Sequence, residues 1–120
     1  MAAENNIGLL LERFIASVLE PIGWIWCSGS AVRAVDFIEP NTGILIQIKN
    51  RDNSENSSSS AIRQGADIIK WFRLYSKKPG VDNWASFPLP EEQKDLTAFL
   101  NEGQFLNFAA KQLEQLKTYS

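Results

Sequence analysis

An α/β domain, a helix laid against a short sheet with more helices after it, is predicted by three features of the sequence. The first is an amphipathic stretch at the start, "ENNIGLLLERFIASVLEPIG", with Ile7, Leu10, Leu11, Phe14, Ile15, Val18 and Leu19 at helical spacing. The second is a run of β-branched and aromatic segments separated by turn residues, from "IGWIWCS" to "ILIQIKN". The third is a return to helical periodicity in the second half. Strands bracketed by helices in this order call for a layered α/β arrangement.

In order, the first helix has Asn5 or Asn6 as a cap and Pro21 as its stop. "IGWIWCS" reads as a strand, "SGS" as a turn and "AVRAVDFI" as a second strand; "EPNTG" turns the chain into a third, "ILIQIKN". "RDNSENSSSS" is polar low-complexity sequence with nothing to bury. "AIRQGADIIKWFRLYS" is predicted to be a helix broken by "KKPG", with Arg63, Lys70, Arg73 and Lys77 on one side of it. In "VDNWASFPLP" Trp84 and Phe87 are anchors, and Trp84 either packs or stacks on a base. Pro90 is expected to open a helix over "EEQKDLTAFL", and Gly103 to separate it from a last one, "QFLNFAAKQLEQLKTYS".

At 120 residues the chain is expected to be one domain, 1–120. A net charge of −2 excludes a polybasic nucleic-acid binder, so a polyanion must be met by a local patch or a bound cation. With no histidine, histidine triads and histidine zinc sites are excluded. The single Cys27 excludes an internal disulfide and a multi-cysteine zinc site. An unpaired thiol, the absence of a basic region in "MAAENNIG" and apolar runs short of the ~20 residues a membrane span needs predict a cytoplasmic protein with no membrane segment.

The candidate site lies in the hairpin around Pro40–Gly43. With Asn41 and Thr42 at the tip, Ile38 faces Leu45 and Asp36 faces Gln47, and directly opposed residues share a sheet face. Lys49, two residues on, joins them, while Ile44, Ile46 and Ile48 point to the core. A slip of one residue would disperse this cluster. A carboxylate and an amide oxygen on neighbouring strands can bracket a hard divalent cation. A lysine beside them can activate water or balance phosphate charge, a set suited to phosphodiester cleavage.

With Asp36 on one strand and Gln47-Ile48-Lys49 on the next, the chain resembles the PD-(D/E)xK nuclease superfamily, whose Mrr-like branch carries Q-x-K at this place. The run "VDFIEPNTGILIQIKNRDNSENSSSSAIRQGADIIKWFR" more closely resembles the SinI-like type II restriction endonucleases, over roughly residues 32–73. The resemblance implies a restriction-endonuclease-like core (helix, mixed sheet of three or more strands, helix) with extra C-terminal helices. It also implies an endonuclease that uses Mg²⁺, with Mn²⁺ able to substitute, and cuts DNA as a homodimer. Asp36, Gln47 and Lys49 are then the catalytic set, with Asp36 and Gln47 on the metal. Glu12, at the border of the apolar stripe, is either an edge residue paired with Arg13 or Lys49 or a further metal ligand. Ser57, Ser59, Ser60, Arg63, Lys70 and Arg73 are the expected DNA contacts. A neutral Gln47 should weaken metal affinity. That keeps open a nuclease fold that only binds DNA, and a junction resolvase is a third reading.

Overall fold

The computed structural model describes residues 2–27, 35–52 and 68–119, with side chains from residue 7 to residue 115. Helix α1 runs over Ala2–Leu19, so Asn5 and Asn6 fall inside it rather than at its cap. Its apolar stripe buries Leu11, Phe14, Ile15, Ala16 and Leu19. Pro21 sits in the 3-10 turn Glu20–Ile22 that follows, where its missing N–H costs nothing.

Among the described residues, four strands form one mixed sheet in the order β1-β2-β3-β4: β1 (Ile25–Trp26), β2 (Phe37–Glu39), β3 (Ile44–Arg51) and β4 (Ile68–Leu74). The first three pair antiparallel, and β4 joins β3 in parallel. Phe37 pairs with Ile46, Ile38 with Leu45 and Glu39 with Ile44, the register expected for a loop of Pro40–Gly43. Glu39 sets this turn. It is fully buried, and its Oε1 accepts from the Thr42 N–H at 2.7 Å and the Thr42 hydroxyl at 3.0 Å. Burial pulls the Glu39 carboxyl up, but those hydrogen bonds outweigh it and hold the group below the ordinary glutamate range. Gly43 closes the turn at φ 79°, donating its N–H to the Glu39 carbonyl at 2.8 Å. A side chain is disfavoured at that φ, so Gly43→Ala is expected to cost about 1–2 kcal/mol. Urea denaturation at neutral pH measures it.

The segment 68–74 is a strand and not part of a helix as the periodicity predicts. Two things mislead the reading. "IIKWFRL" places apolar residues at both helical and alternating spacings, and the charged Arg73 occupies a core-facing position. What decides is the pairing with β3, which aligns Ile48 with Trp71 and Lys49 with Phe72. The isoleucines and aromatics suit a pleated, half-buried surface. In the C-terminal part, Pro90 is extended and precedes the 3-10 segment Glu91–Ala98 instead of opening an α-helix. Helix α2 (Glu102–Tyr119) contains Gly103 rather than beginning after it.

One hydrophobic cluster joins α1, the sheet and α2. Phe37, Ile46, Ile48 and Trp71 supply the sheet side, and Trp84, Phe87, Leu100 and Phe105 the other. Trp84 is buried here, 4.9 Å from Trp71 and edge-on to Phe14 at 5.6 Å, so it packs rather than being presented to a ligand. Among the described residues no helix is long and apolar enough to cross a membrane.

Candidate metal centre

Asp36 stands just before β2, pinned by its own backbone. Its N–H donates to the Ile46 carbonyl at 2.8 Å, and its carbonyl accepts from the Cys27 N–H at 2.9 Å. Its side-chain Oδ2 accepts from the Ile48 N–H at 2.7 Å. That N–H belongs to the Gln47–Ile48 peptide, so the carboxylate is held against the middle of the Gln47-Ile48-Lys49 run. Because β3 alternates, Ile46 and Ile48 go into the core while Gln47 and Lys49 share the other face, with Lys49 exposed. Glu12 arrives from α1. Its Oε1 accepts from the Trp26 indole N–H at 3.0 Å, and Asp36 is near enough for its charge to act on it.

The electrostatics of the two acids are alike. Burial pushes the Glu12 carboxyl up, the Trp26 hydrogen bond opposes this, and the negative Asp36 adds to it. Burial likewise raises Asp36, against the Ile48 N–H and the Lys49 ammonium. The Cys27 thiol is raised too, by burial and then by Asp36, which leaves it a poor nucleophile. The Gln47 Oε1 is buried with no hydrogen-bond partner among the described residues. An orphaned acceptor of this kind is costly unless something else fills it. With the Asp36 carboxylate bound to the peptide N–H that follows it, this amide oxygen is the donor type a hard cation takes. Among the described residues no three His, Cys, Asp or Glu side chains cluster as ligands. Two carboxylates and one neutral amide oxygen are the oxygen donors of this region, the donor type that hard divalent cations take.

A raised carboxyl pKa has a direct consequence for stability. Below the ordinary carboxylate range Asp36 is protonated whether folded or not. As pH rises through the raised folded value, ionisation favours the unfolded chain, so this contribution to stability is lost. Asp36→Asn keeps an acceptor for the Ile48 N–H and removes the ionisation. It is expected to raise the melting temperature without added cation, and to flatten the decline that sets in as pH rises above the ordinary aspartate value of about 4. Mg²⁺ should stabilise the parent more than this variant. Thermal melts across pH, with and without Mg²⁺, check both statements.

The predicted DNA contacts divide. Ser57, Ser59, Ser60 and Arg63 lie outside the described residues. Lys70 and Arg73 are on β4, so the helical basic stripe is replaced by strand alternation. Lys70 is exposed and paired with Gln47. Arg73 is buried, its guanidinium bonded to Glu102 and to Asn50 Oδ1 at 2.7 Å, which gives it a structural place. Sequence reading missed Trp26 as the partner of Glu12, and the Asn50–Arg73–Glu102 link. The available signal was slight: an indole requires an acceptor, but spacing alone does not say which.

The family profile described as SinI restriction endonuclease matches residues 1–115. The type II restriction enzyme SinI of Salmonella infantis is 50% identical over 121 residues, covering 98% of this chain and 50% of its own length. The type II restriction enzyme Eco47I of Escherichia coli is 51% identical over 120 residues, covering 97% of this chain and 50% of its own. The chain thus spans about half the length of these relatives. With its helix, its mixed sheet and a match over nearly all its residues, the chain belongs to the SinI restriction endonuclease family.

Proposed function

We propose that the protein is a Mg²⁺-dependent endodeoxyribonuclease of restriction type, with residues 1–120 forming a nuclease domain. The observation that carries this reading is the buried Gln47 Oε1, without a hydrogen-bond partner among the described residues, next to the peptide N–H that the Asp36 carboxylate holds. Family membership supports it, since relatives with half of their length matched are named type II restriction enzymes. Asp36, Gln47 and Glu12 would hold Mg²⁺, with Mn²⁺ able to replace it. When bound, the cation supplies positive charge against the scissile phosphate and acidifies water. Lys49, exposed and close enough to act electrostatically on Asp36, activates the attacking water and balances phosphate charge. Lys70 shares the Gln47–Lys49 face of the sheet and contacts the DNA backbone there, with Ser57, Ser59, Ser60 and Arg63 as further contacts. Cutting both strands of a duplex at one site takes two copies, hence a homodimer. The working compartment is the cytoplasm, where the unpaired Cys27 stays reduced.

The neutral Gln47 and the shortage of acids favour one competing reading, a nuclease fold that binds DNA without cutting it. Plasmid cleavage in Mg²⁺ or Mn²⁺, with calorimetric titration of each cation, separates the two. Cation-dependent cutting is the expected result; DNA binding with no cutting in either metal leaves the binding module.

A further inference from the structure

We infer that Trp26 is a positioning residue for the cation site, its indole N–H fixing the orientation of the Glu12 carboxylate. This rests on the proposed metal centre. Glu12 comes from a different layer than Asp36 and Gln47, and its side chain has three rotatable bonds, so something must aim it. Trp26 is placed to do so. Its ring lies nearly parallel to Phe37 at 6.3 Å and 11°, and Phe37 is fully buried and directly follows Asp36. The plane of the indole is thus tied to the backbone that carries the Asp36 carboxylate. An indole donates one bond, in its own plane. At 3.0 Å that bond takes Glu12 Oε1 and limits how the carboxylate can rotate.

Packing alone does not account for this partner. Trp71 satisfies its indole on the Asn83 carbonyl and Trp24 on the Gln93 side-chain oxygen, both neutral. Trp84 uses the Glu102 carboxylate, but Arg73 neutralises that one. Trp26 spends its N–H on a half-buried carboxylate whose charged neighbour is another carboxylate, Asp36. Such a pair of acids is expensive without a cation between them. The same one-oxygen arrangement recurs at Asp36, where the Ile48 N–H takes Oδ2. One backbone donor and one indole therefore each fix the orientation of one acid before an ion arrives.

The test is calorimetric titration of Mn²⁺ into DNA-free protein, comparing the parent with Trp26→Phe, Glu12→Gln and the double variant. Trp26→Phe keeps the stack on Phe37 and removes the donor. It is expected to weaken Mn²⁺ binding about 10-fold, within the range typical for groups that orient a ligand. In the Glu12→Gln background the same change should add nothing, because the effect passes through Glu12. Unchanged affinity in Trp26→Phe while Glu12→Gln weakens binding overturns this inference and leaves the metal centre standing. Equal, additive losses in both backgrounds overturn it as well. A parent protein that binds no Mn²⁺ removes the metal centre itself, and the inference with it. Should Trp26→Phe fold poorly, replacing Trp26 with 3-benzothienylalanine, which puts sulfur where the N–H stands, asks the same question with the ring shape kept.

Discussion

Lys49→Ala is expected to leave the fold and cation binding intact and to lower the rate of DNA cleavage by about 10²–10⁴-fold. Lys49 is exposed on β3, and surface truncations of this sort rarely cost more than about 0.5 kcal/mol. Its neighbours Ile48 and Asn50 point to the core and hold the strand without it. What the variant loses is an ammonium close enough to act on Asp36, on the face where Gln47 also lies. Lys49→Arg keeps the charge but replaces a compact ammonium by a planar fork that cannot give up a proton, so it should recover binding to DNA without recovering the rate. Asp36→Ala fails differently. It removes the proposed ligand and the acceptor of the Ile48 N–H together, so Mn²⁺ binding is expected to fall along with cleavage. Single-turnover plasmid cleavage with calorimetry on the same preparations resolves the two. Cutting at the parental rate in both variants would refute the assignment.

How much of this was readable beforehand depends on the range of the interaction concerned. The hairpin register was legible because it is local: a four-residue loop and alternating isoleucines leave one pairing that buries Ile46 and Ile48. The first helix was legible for the same reason, its stripe being continuous from Leu10 to Leu19. β4 was not, because its conformation is imposed by a parallel partner some twenty residues earlier, and a parallel pair leaves no turn signature between its strands. Arg73 compounded the error, since a charge among apolar residues reads as a solvent face until Glu102, 29 residues away, is seen to meet it. In the site, Asp36 and the 47–49 run stood out from spacing. The bond between Trp26 and Glu12 joins a strand to a helix across a packed interface, and no periodicity records it.

That misread arginine underlies the largest expected stability effect. Arg73→Ala should destabilise the fold by about 2–4 kcal/mol, somewhat below the ~3–5 kcal/mol of breaking a fully buried ion pair because Glu102 is partly exposed. Three side chains on two other elements depend on the guanidinium. Its Nε and Nη2 engage the Glu102 carboxylate at the start of α2, its Nη1 donates to Asn50 on β3, and its plane lies 4.6 Å from the Phe105 ring. Without it Glu102 keeps only the Trp84 indole, and a charge that is 27% exposed is left among aromatic rings. Removing both charges should be milder. Arg73→Met with Glu102→Gln fills the space and retains an acceptor for Trp84, so it is expected to lose less than Arg73→Ala alone. Acid provides an internal control. The hydrogen bond from Arg73 holds the Glu102 carboxyl below the ordinary glutamate range, and burial opposes it only in part. Its contribution is therefore present above the unfolded value and is lost as pH falls through the folded one, below about pH 4. The parent should lose stability over that window, and Arg73→Ala, with Glu102 already unpaired, should lose less. Urea denaturation of the three proteins at neutral and acidic pH measures all of these differences. Equal stability of Arg73→Ala and the parent at neutral pH would mean that the link between sheet and helix carries no net energy.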